Sequence, residues 1–404
     1  MYLKKELFLR KIFQNIQLLW VEQEKEESLI KVKDTLKWRS DIFFDANGSD
    51  IYYKTRSIGC TYCTLWKGCT VVLSYKCHRD CFFCYEETPL DPKVKIDPYD
   101  KKDMDSIYET IDSALPYADN KTLAITWWEP FLFTDKVYEI LDYVNEKYPW
   151  KNKRIYTTGE FLNEEKLKKL QLLWLDELRY SIKPWEEPDI ELYRLSKKYI
   201  KSILIEMPVQ PNSKEYMIDI LTKINEANCV DWINLNELTF NNLNTYKYRE
   251  RGLKLDLPDS QSDIYHRYYD VSKIEMWVYG SKLLALELID YFSLRQAHFF
   301  MHYCDLDTVS NHHYIHKRDV ANGLWISYAS ITTFWLQRIL RIYGDNSRIL
   351  DTIHLNRVLH FYNNWNYIET STDHADIFKT HWFICVIVYK NYDYGYDVDF
   401  ELIN

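Results

Sequence analysis

Three cysteines stand close together in the run Cys77-His-Arg-Asp-Cys81-Phe-Phe-Cys84. Thiolates are the usual protein ligands of iron–sulfur clusters, and three on one short loop can wrap three corners of a four-iron cube. The fourth iron then lacks a protein ligand and can take a substrate, by the open-site logic that separates catalytic from structural metal sites. Half of a zinc site is the alternative, but zinc ordinarily takes four ligands, typically as two close pairs. A gap of three residues and then of two, directly after the apolar run Thr70-Val-Val-Leu-Ser-Tyr75, is a different pattern.

Six of the nine cysteines fall between Cys60 and Cys84; the others are Cys229, Cys304 and Cys385. An odd number bunched in one stretch suits metal binding better than a disulfide framework. Cys60 and Cys63 form a CxxC pair, Cys69 follows six residues later, and Cys304 ends an apolar run. Together these four could close a second site, either an auxiliary iron–sulfur cluster or structural zinc. His312, His313 and His316 lie near Cys304 as further candidate ligands, although a polar surface loop explains them equally. Cys229 and Cys385 sit in apolar runs and read as core.

The elements that must hold these residues alternate regularly. Short β-rich runs occur at 69–75, 122–128, 154–157, 177–182, 203–209 and 232–235, with helical periodicity between them at 104–115, 135–147, 163–173 and 214–227. Six strands alternating with helices predict parallel βα units. Right-handed crossovers would curl them into a partial (βα)6 TIM-like barrel, a flavodoxin-like open sheet being the alternative. Chemistry in such barrels sits at the C-terminal strand ends. Ahead of it, residues 41–53 read as a hairpin turning at Asn47-Gly48. The expected division is an N-terminal hairpin and cysteine-rich extension (1–68), the barrel (69–260) and an α+β C-terminal extension (261–404). In the last, strands are expected at 273–278, 298–303 and 382–389, and a helix at 325–343.

The spacing CxxxCxxC, the aromatic Phe83 before its last cysteine and the following βα series resemble the radical S-adenosylmethionine (SAM) superfamily over residues 69–240. The resemblance implies that Cys77, Cys81 and Cys84 hold a [4Fe–4S] cluster whose fourth iron is chelated by SAM. Reductive cleavage of SAM would then give methionine and a 5′-deoxyadenosyl radical that abstracts hydrogen from a substrate. It also implies that Phe83 lies near the adenine and that a low-potential donor such as flavodoxin or ferredoxin supplies the electron. Thr126-Trp127-Trp128-Glu129-Pro130 stands where the family usually shows Gly-Gly-Glu-Pro. Strand position, Glu129 and the proline match, whereas Trp127 and Trp128 replace glycines that let the backbone approach the methionine amino group. By strand order, Ser181, Glu206, Asn234 and Asn236 become candidates for contacts to SAM or substrate, and each is equally explained as a satisfied core polar group. Tyr180, Lys183 and Glu237 are the catalytic candidates at the strand ends. A narrower likeness rests on Cys60-Thr-Tyr-Cys63, Asn234-Leu-Asn-Glu-Leu238 with Arg251-Gly252, and His302-Tyr-Cys304. It points to a little-studied radical SAM subgroup related to pyruvate formate-lyase activating enzymes, and it supplies no substrate.

Composition sets the outer bounds. The chain has 404 residues, is 47% apolar and carries a net charge of −9, which suits a large folded core and argues against nucleic acid as the main partner. No apolar run of about 18 residues or secretory signal is present, so a soluble, cytoplasmic protein without a membrane partner is expected. A peptide or protein is one substrate class consistent with the extensions flanking the barrel. The competing reading is a non-catalytic protein stapled by zinc or a cluster on a degenerate barrel.

Overall fold

The computed structural model describes residues 21–22, 26–45, 50–65, 67–73, 77–84, 104–116, 121–126, 129–183, 185–240, 245–256, 276–304, 330–331, 337–358, 360–364, 366–381, 383–390 and 397–403. The chain forms two compact units, residues 1–261 with 274–309, and residues 262–273 with 310–404.

The first unit begins with α1 (Glu26–Lys37) and the hairpin strands β1 (Ile42–Asp45) and β2 (Asp50–Tyr53). Next come α2 (Ile58–Thr64), which carries the CxxC pair, and β3 (Gly68–Val72). The alternating series continues through α3 (Met104–Ala114), β4 (Thr122–Thr126), α4 (Thr134–Lys147), β5 (Asn152–Thr157), α5 (Glu164–Leu172) and β6 (Glu177–Ser181). It proceeds with α6 (Ile190–Lys197), β7 (Ser202–Val209), α7 (Lys214–Ala227) and β8 (Trp232–Glu237), then α8 (Thr245–Glu250), α9 (Ser281–Leu294) and β9 (Phe300–Cys304). All six expected βα strands are present in place. They build one sheet of nine strands in the order β1-β2-β9-β8-β7-β6-β5-β4-β3. From β3 to β9 every pairing is parallel, and β2 runs antiparallel to both β1 and β9. The fold is α/β around a parallel sheet, with no closed barrel among the described residues. The hairpin is therefore continuous with the main sheet, through β9. That strand comes from the region expected to be C-terminal extension.

Residue alternation gives the sheet two different faces. Leu123, Ile125, Ile155, Leu178, Ile203, Ile205, Ile233, Leu235 and Met301 point to the helix layer and form the core. The helices answer with stripes at helical spacing, such as Val137, Ile140, Leu141 and Val144 on α4 and Met217, Ile220, Leu221 and Ile224 on α7. Side-chain caps start several of them, Asn163 accepting from the Lys166 N–H and Asp189 from the Leu192 N–H. The opposite, inner face carries Thr122, Arg154, Glu177, Arg179, Glu206, Asn234 and His302, all buried. A polar inner face that is buried must be hydrogen-bonded throughout.

The second unit is α+β. Its sheet has β10 (Gln337–Tyr343) at the centre, in the order β11 (Phe361–Asn364), β12 (Tyr367–Thr370), β10, β13 (Ile384–Lys390), β14 (Asp397–Leu402), with residues 330–331 pairing on β10. Helices α10 (Asn346–Leu355) and α11 (Ala375–Lys379) contribute Ile349, Ile353 and Phe378 to its core. The expected helix at 325–343 is corrected here: its described residues are strand. Ile339, Leu340 and Ile342 are all buried between β12 and β13. A strand covered on both sides loses its period-two signature and reads like a buried helix. The expected strand at 382–389 is β13. Of the expected strand at 273–278, only residues beyond 275 are described, and Met276–Trp277 pair with Thr239–Phe240.

Candidate cofactor site

The loop bearing Cys77, Cys81 and Cys84 is seated at the C-terminal ends of the strands by the residues between the cysteines. Arg79 places Nε 2.9 Å from Glu160 Oε1 and Nη1 2.9 Å from Glu186 Oε2, bridging the connections after β5 and β6. His78 also pairs with Glu160. Asp80 accepts from Lys247 of α8, beyond β8. Phe82 is buried, stacked on Trp185 at 5.4 Å and 28°, edge-on to Tyr248, with the Arg251 guanidinium 4.4 Å from its centroid. Arg251, singled out above only as part of a short motif, thus has a physical role. Phe83, the expected adenine neighbour, is only partly buried and meets Trp185 edge-on at 6.4 Å.

All three cysteines are reduced and partly accessible. Burial pushes the Cys77 thiol up, and nearby Glu129 and Cys84 push it further against an N–H bond from Arg79 to Cys77 Sγ at 3.4 Å. Burial likewise pushes Cys81 up to about 11, with Lys183 and Arg79 opposing it and Cys84 and Cys77 adding to it. The three sulfurs therefore feel one another and two cations. Among the described residues no group of three His, Cys, Asp or Glu converges as a ready-made metal site. Three thiols on one short loop are the donor set that a four-iron cluster with one open iron takes, whereas structural zinc ordinarily takes four ligands.

Glu129 sits beside this loop as a saturated clamp. Its Oε1 accepts from the Phe131 N–H at 3.1 Å and Thr157 Oγ1 at 2.8 Å, and its Oε2 from the Thr158 N–H and Oγ1, both at 2.7 Å. Four donors fill a carboxylate's capacity. Glu129 thus ties the end of β4 to the end of β5. Trp127 and Trp128 lie outside the described residues.

Glu206, Asn234 and Asn236 form one cluster on the inner face. Glu206 Oε2 accepts from Asn234 at 2.7 Å and Asn236 at 3.0 Å, and Oε1 from Arg179 at 2.8 Å. Asn234 Oδ1 meets His302 Nδ1 at 2.7 Å, and His302 Nε2 meets Asp50 at 2.8 Å. Ser181, on the same face, is exposed, and Asn236 is partly so. Lys183 reaches the site, pairing with Glu186 at 2.9 Å close to Cys81. Tyr180 and Glu237 alternate onto the helix-facing side. Tyr180 packs on Tyr193 and bonds Ser196 of α6 at 2.5 Å, and Glu237 is buried beyond Leu235. The structure does not bring these two to the cysteine loop.

No three cysteines of the second set converge among the described residues, although the Cys60 and Cys63 thiols act on each other across one turn of α2. Cys69 turns to the helix layer against the Thr110 carbonyl of α3, whereas Cys60 lies under the inner face beside Arg179. Cys63 is exposed on α2, and Cys304, level with Asn236, is partly buried. His312, His313 and His316 lie outside the described residues. Cys229 and Cys385 are buried, as core cysteines would be.

What the sequence reading missed is the plug at the opposite strand ends. The Gly59 N–H donates to Glu177 at 2.7 Å, the Gly59 carbonyl accepts from Arg154 at 2.8 Å, and Ser57 accepts from Arg179 at 2.8 Å. A Cβ on Gly59 would lie 2.6 Å from Glu177 Oε2 and 2.7 Å from Arg179 Nη2, so only glycine fits. Burial alone would raise Cys60, yet Arg179 and His302 hold it down at about 7. Burial alone would lower His302, yet Asp50 and Cys60 hold it up at about 9. The signal was available as period-two polarity in Glu177-Leu-Arg-Tyr-Ser181.

Residues 71–187 match the model of the Radical SAM superfamily. A protein of Methanocaldococcus jannaschii, provisionally named a glycyl-radical enzyme activating enzyme, is 26% identical over 264 residues, 61% of this chain and 62% of its own length. The chain thus spans about three fifths of that relative. Among solved structures, Streptococcus suis SuiB bound to its precursor peptide SuiA is similar at 15% identity and a TM-score of 0.39, over 59% of this chain and 48% of its own. Coproporphyrinogen III oxidase (HemN) of Escherichia coli is similar at 14% identity and 0.38, over 65% and 60%. No helix among the described residues is long and apolar enough to cross a membrane.

Proposed function

We propose that this chain is a radical SAM enzyme in which Cys77, Cys81 and Cys84 hold a [4Fe–4S] cluster, SAM occupies the open iron, and hydrogen is removed from a peptide or protein. The observation that carries this is the three-thiol loop anchored over the strand ends of the segment that matches the Radical SAM superfamily. When bound, the cluster and SAM supply one-electron reduction and a hydrogen-abstracting radical, chemistry that belongs to the cofactors.

The chain's own residues position, shield and balance charge. Glu129 fixes the relative height of two strand ends, and Lys183 and Arg79 place positive charge beside Cys81. Ser181 and Asn236 are accessible polar groups of the inner face near the C-terminal strand ends, and with Phe83 they are the residues we assign to SAM. Glu206 and Asn234 hold Asn236 from below. The protein substrate class draws support from the name of the archaeal relative. The electron would come from a low-potential donor such as flavodoxin or ferredoxin.

The test is anaerobic reconstitution with iron and sulfide counting, then dithionite, SAM and assay for 5′-deoxyadenosine. About four irons per chain, with deoxyadenosine formed and lost in Cys77→Ala, supports the reading. A colourless protein carrying stoichiometric zinc would replace it with a stapled binding protein. A count near eight would restore an auxiliary cluster at the second cysteine set.

A further inference from the structure

The three residues between Cys77 and Cys81 have no ligand role, yet together they are tied to three parts of the strand-end rim. His78 and Arg79 reach Glu160 after β5, Arg79 also reaches Glu186 after β6, and Asp80 reaches Lys247 beyond β8. Arg79 is the pivot. Its guanidinium is the best buried of the three, with 13% of the side chain accessible, and it alone spans two connections. Its backbone N–H points at Cys77 Sγ, and it stands two residues from Cys81 within the same loop.

Resting on the cluster reading above, we propose that Arg79 is a positioning residue that does two separable things. Its planar fork seats the cysteine loop on Glu160 and Glu186, and its positive charge lies beside the anionic cluster and favours the reduced state. A guanidinium can bridge two carboxylates from fixed directions, whereas an ammonium brings the charge without the fork. Residues in this position orient first-shell ligands and tune the metal they hold. Lys183 adds a second cation, but through Glu186 only, so it cannot replace the bridge.

The difference between fork and charge defines the experiment. Wild type, Arg79→Lys and Arg79→Gln are reconstituted anaerobically. Each is compared for folding by thermal melt, for cluster loss to an iron chelator, and for cluster midpoint potential by dye-mediated titration without SAM. Both variants should lose the cluster about 10-fold faster than wild type, the low end for loss of an outer-shell partner. Only Arg79→Gln should also shift the midpoint to a more negative value, with Arg79→Lys restoring it. Equal loss rates and equal potentials in all three would overturn the proposal. A faster loss without any potential difference between the lysine and glutamine variants would overturn the charge half and leave the seat. A wild type that binds no iron–sulfur cluster overturns the reading of the site itself, a separate outcome read from the first sample.

Discussion

The two ends of the parallel sheet are held by the same kinds of groups in opposite settings. At the lower end, α2 is locked by Glu177, Arg179 and Arg154, whose charged side chains are buried and hydrogen-bonded to α2 or to one another. At the upper end, the cysteine loop is held by Glu160, Glu186 and Asp80, whose side chains keep 46%, 29% and 43% of their surface accessible. Ion pairs in water contribute roughly 0–1 kcal/mol, while breaking a buried one costs about 3–5 kcal/mol. The lower end is therefore built for stability. The upper end holds the cysteine loop through weaker, water-exposed pairs.

The sharpest way to break that contrast is Arg179→Met. It strands Glu177 and Glu206 without their shared cation, and urea unfolding should show a loss of about 4 kcal/mol. Next comes Glu177→Gln, expected to cost about 3 kcal/mol near neutral pH. Burial alone would raise Glu177, but Arg179 and the Gly59 N–H hold its carboxyl below the ordinary 4.5. A depressed carboxyl contributes stability above its unfolded value and loses it as pH falls through the folded one. The difference between variant and wild type should therefore be constant around neutrality and shrink below pH 4.5. An undiminished difference at low pH would mean that the carboxylate charge is not what matters.

Tyr180→Phe should lower stability by about 1 kcal/mol through the lost bond to Ser196 and leave deoxyadenosine formation unchanged, because the phenol faces α6. A large loss of turnover at unchanged stability would return Tyr180 to the chemistry. Smallest is Asp80→Asn, with a cost of about 0.5 kcal/mol in the melt, erased by high salt. A cost comparable to Glu177→Gln would show the upper end to be as rigid as the lower, and the contrast would fail.

How much of this was legible follows the same division. The six βα strands were readable because each is short and alternates with segments of helical periodicity, although Glu177-Leu-Arg-Tyr-Ser181 carries no β-branched residue. The cysteine loop was readable because ligand spacing is local. Which of Tyr180, Ser181 and Lys183 faces the site was not, since one step along a strand exchanges the two faces. For the lower plug the polar alternation of Glu177–Ser181 was legible but its partners were not: Ser57 and Gly59 meet Glu177 and Arg179 from 118 to 122 positions away. In β10, burial on both faces erased the alternation altogether.

The placement of β9 has a consequence for how the molecule is made. Among the described residues, the hairpin strands Ile42–Asp45 and Asp50–Tyr53 pair with the parallel sheet through Phe300–Cys304, and Asp50 meets His302 across 252 positions of chain. During synthesis, at about 5–20 residues per second, β3 to β8 can assemble while the hairpin waits with one edge unpaired. Until β9 arrives, the exposed edges of β2 and β8 are each a template for a neighbouring chain. A nascent polypeptide stalled before residue 300 would be the aggregation-prone species, and release past that strand would be the step that makes the unit safe.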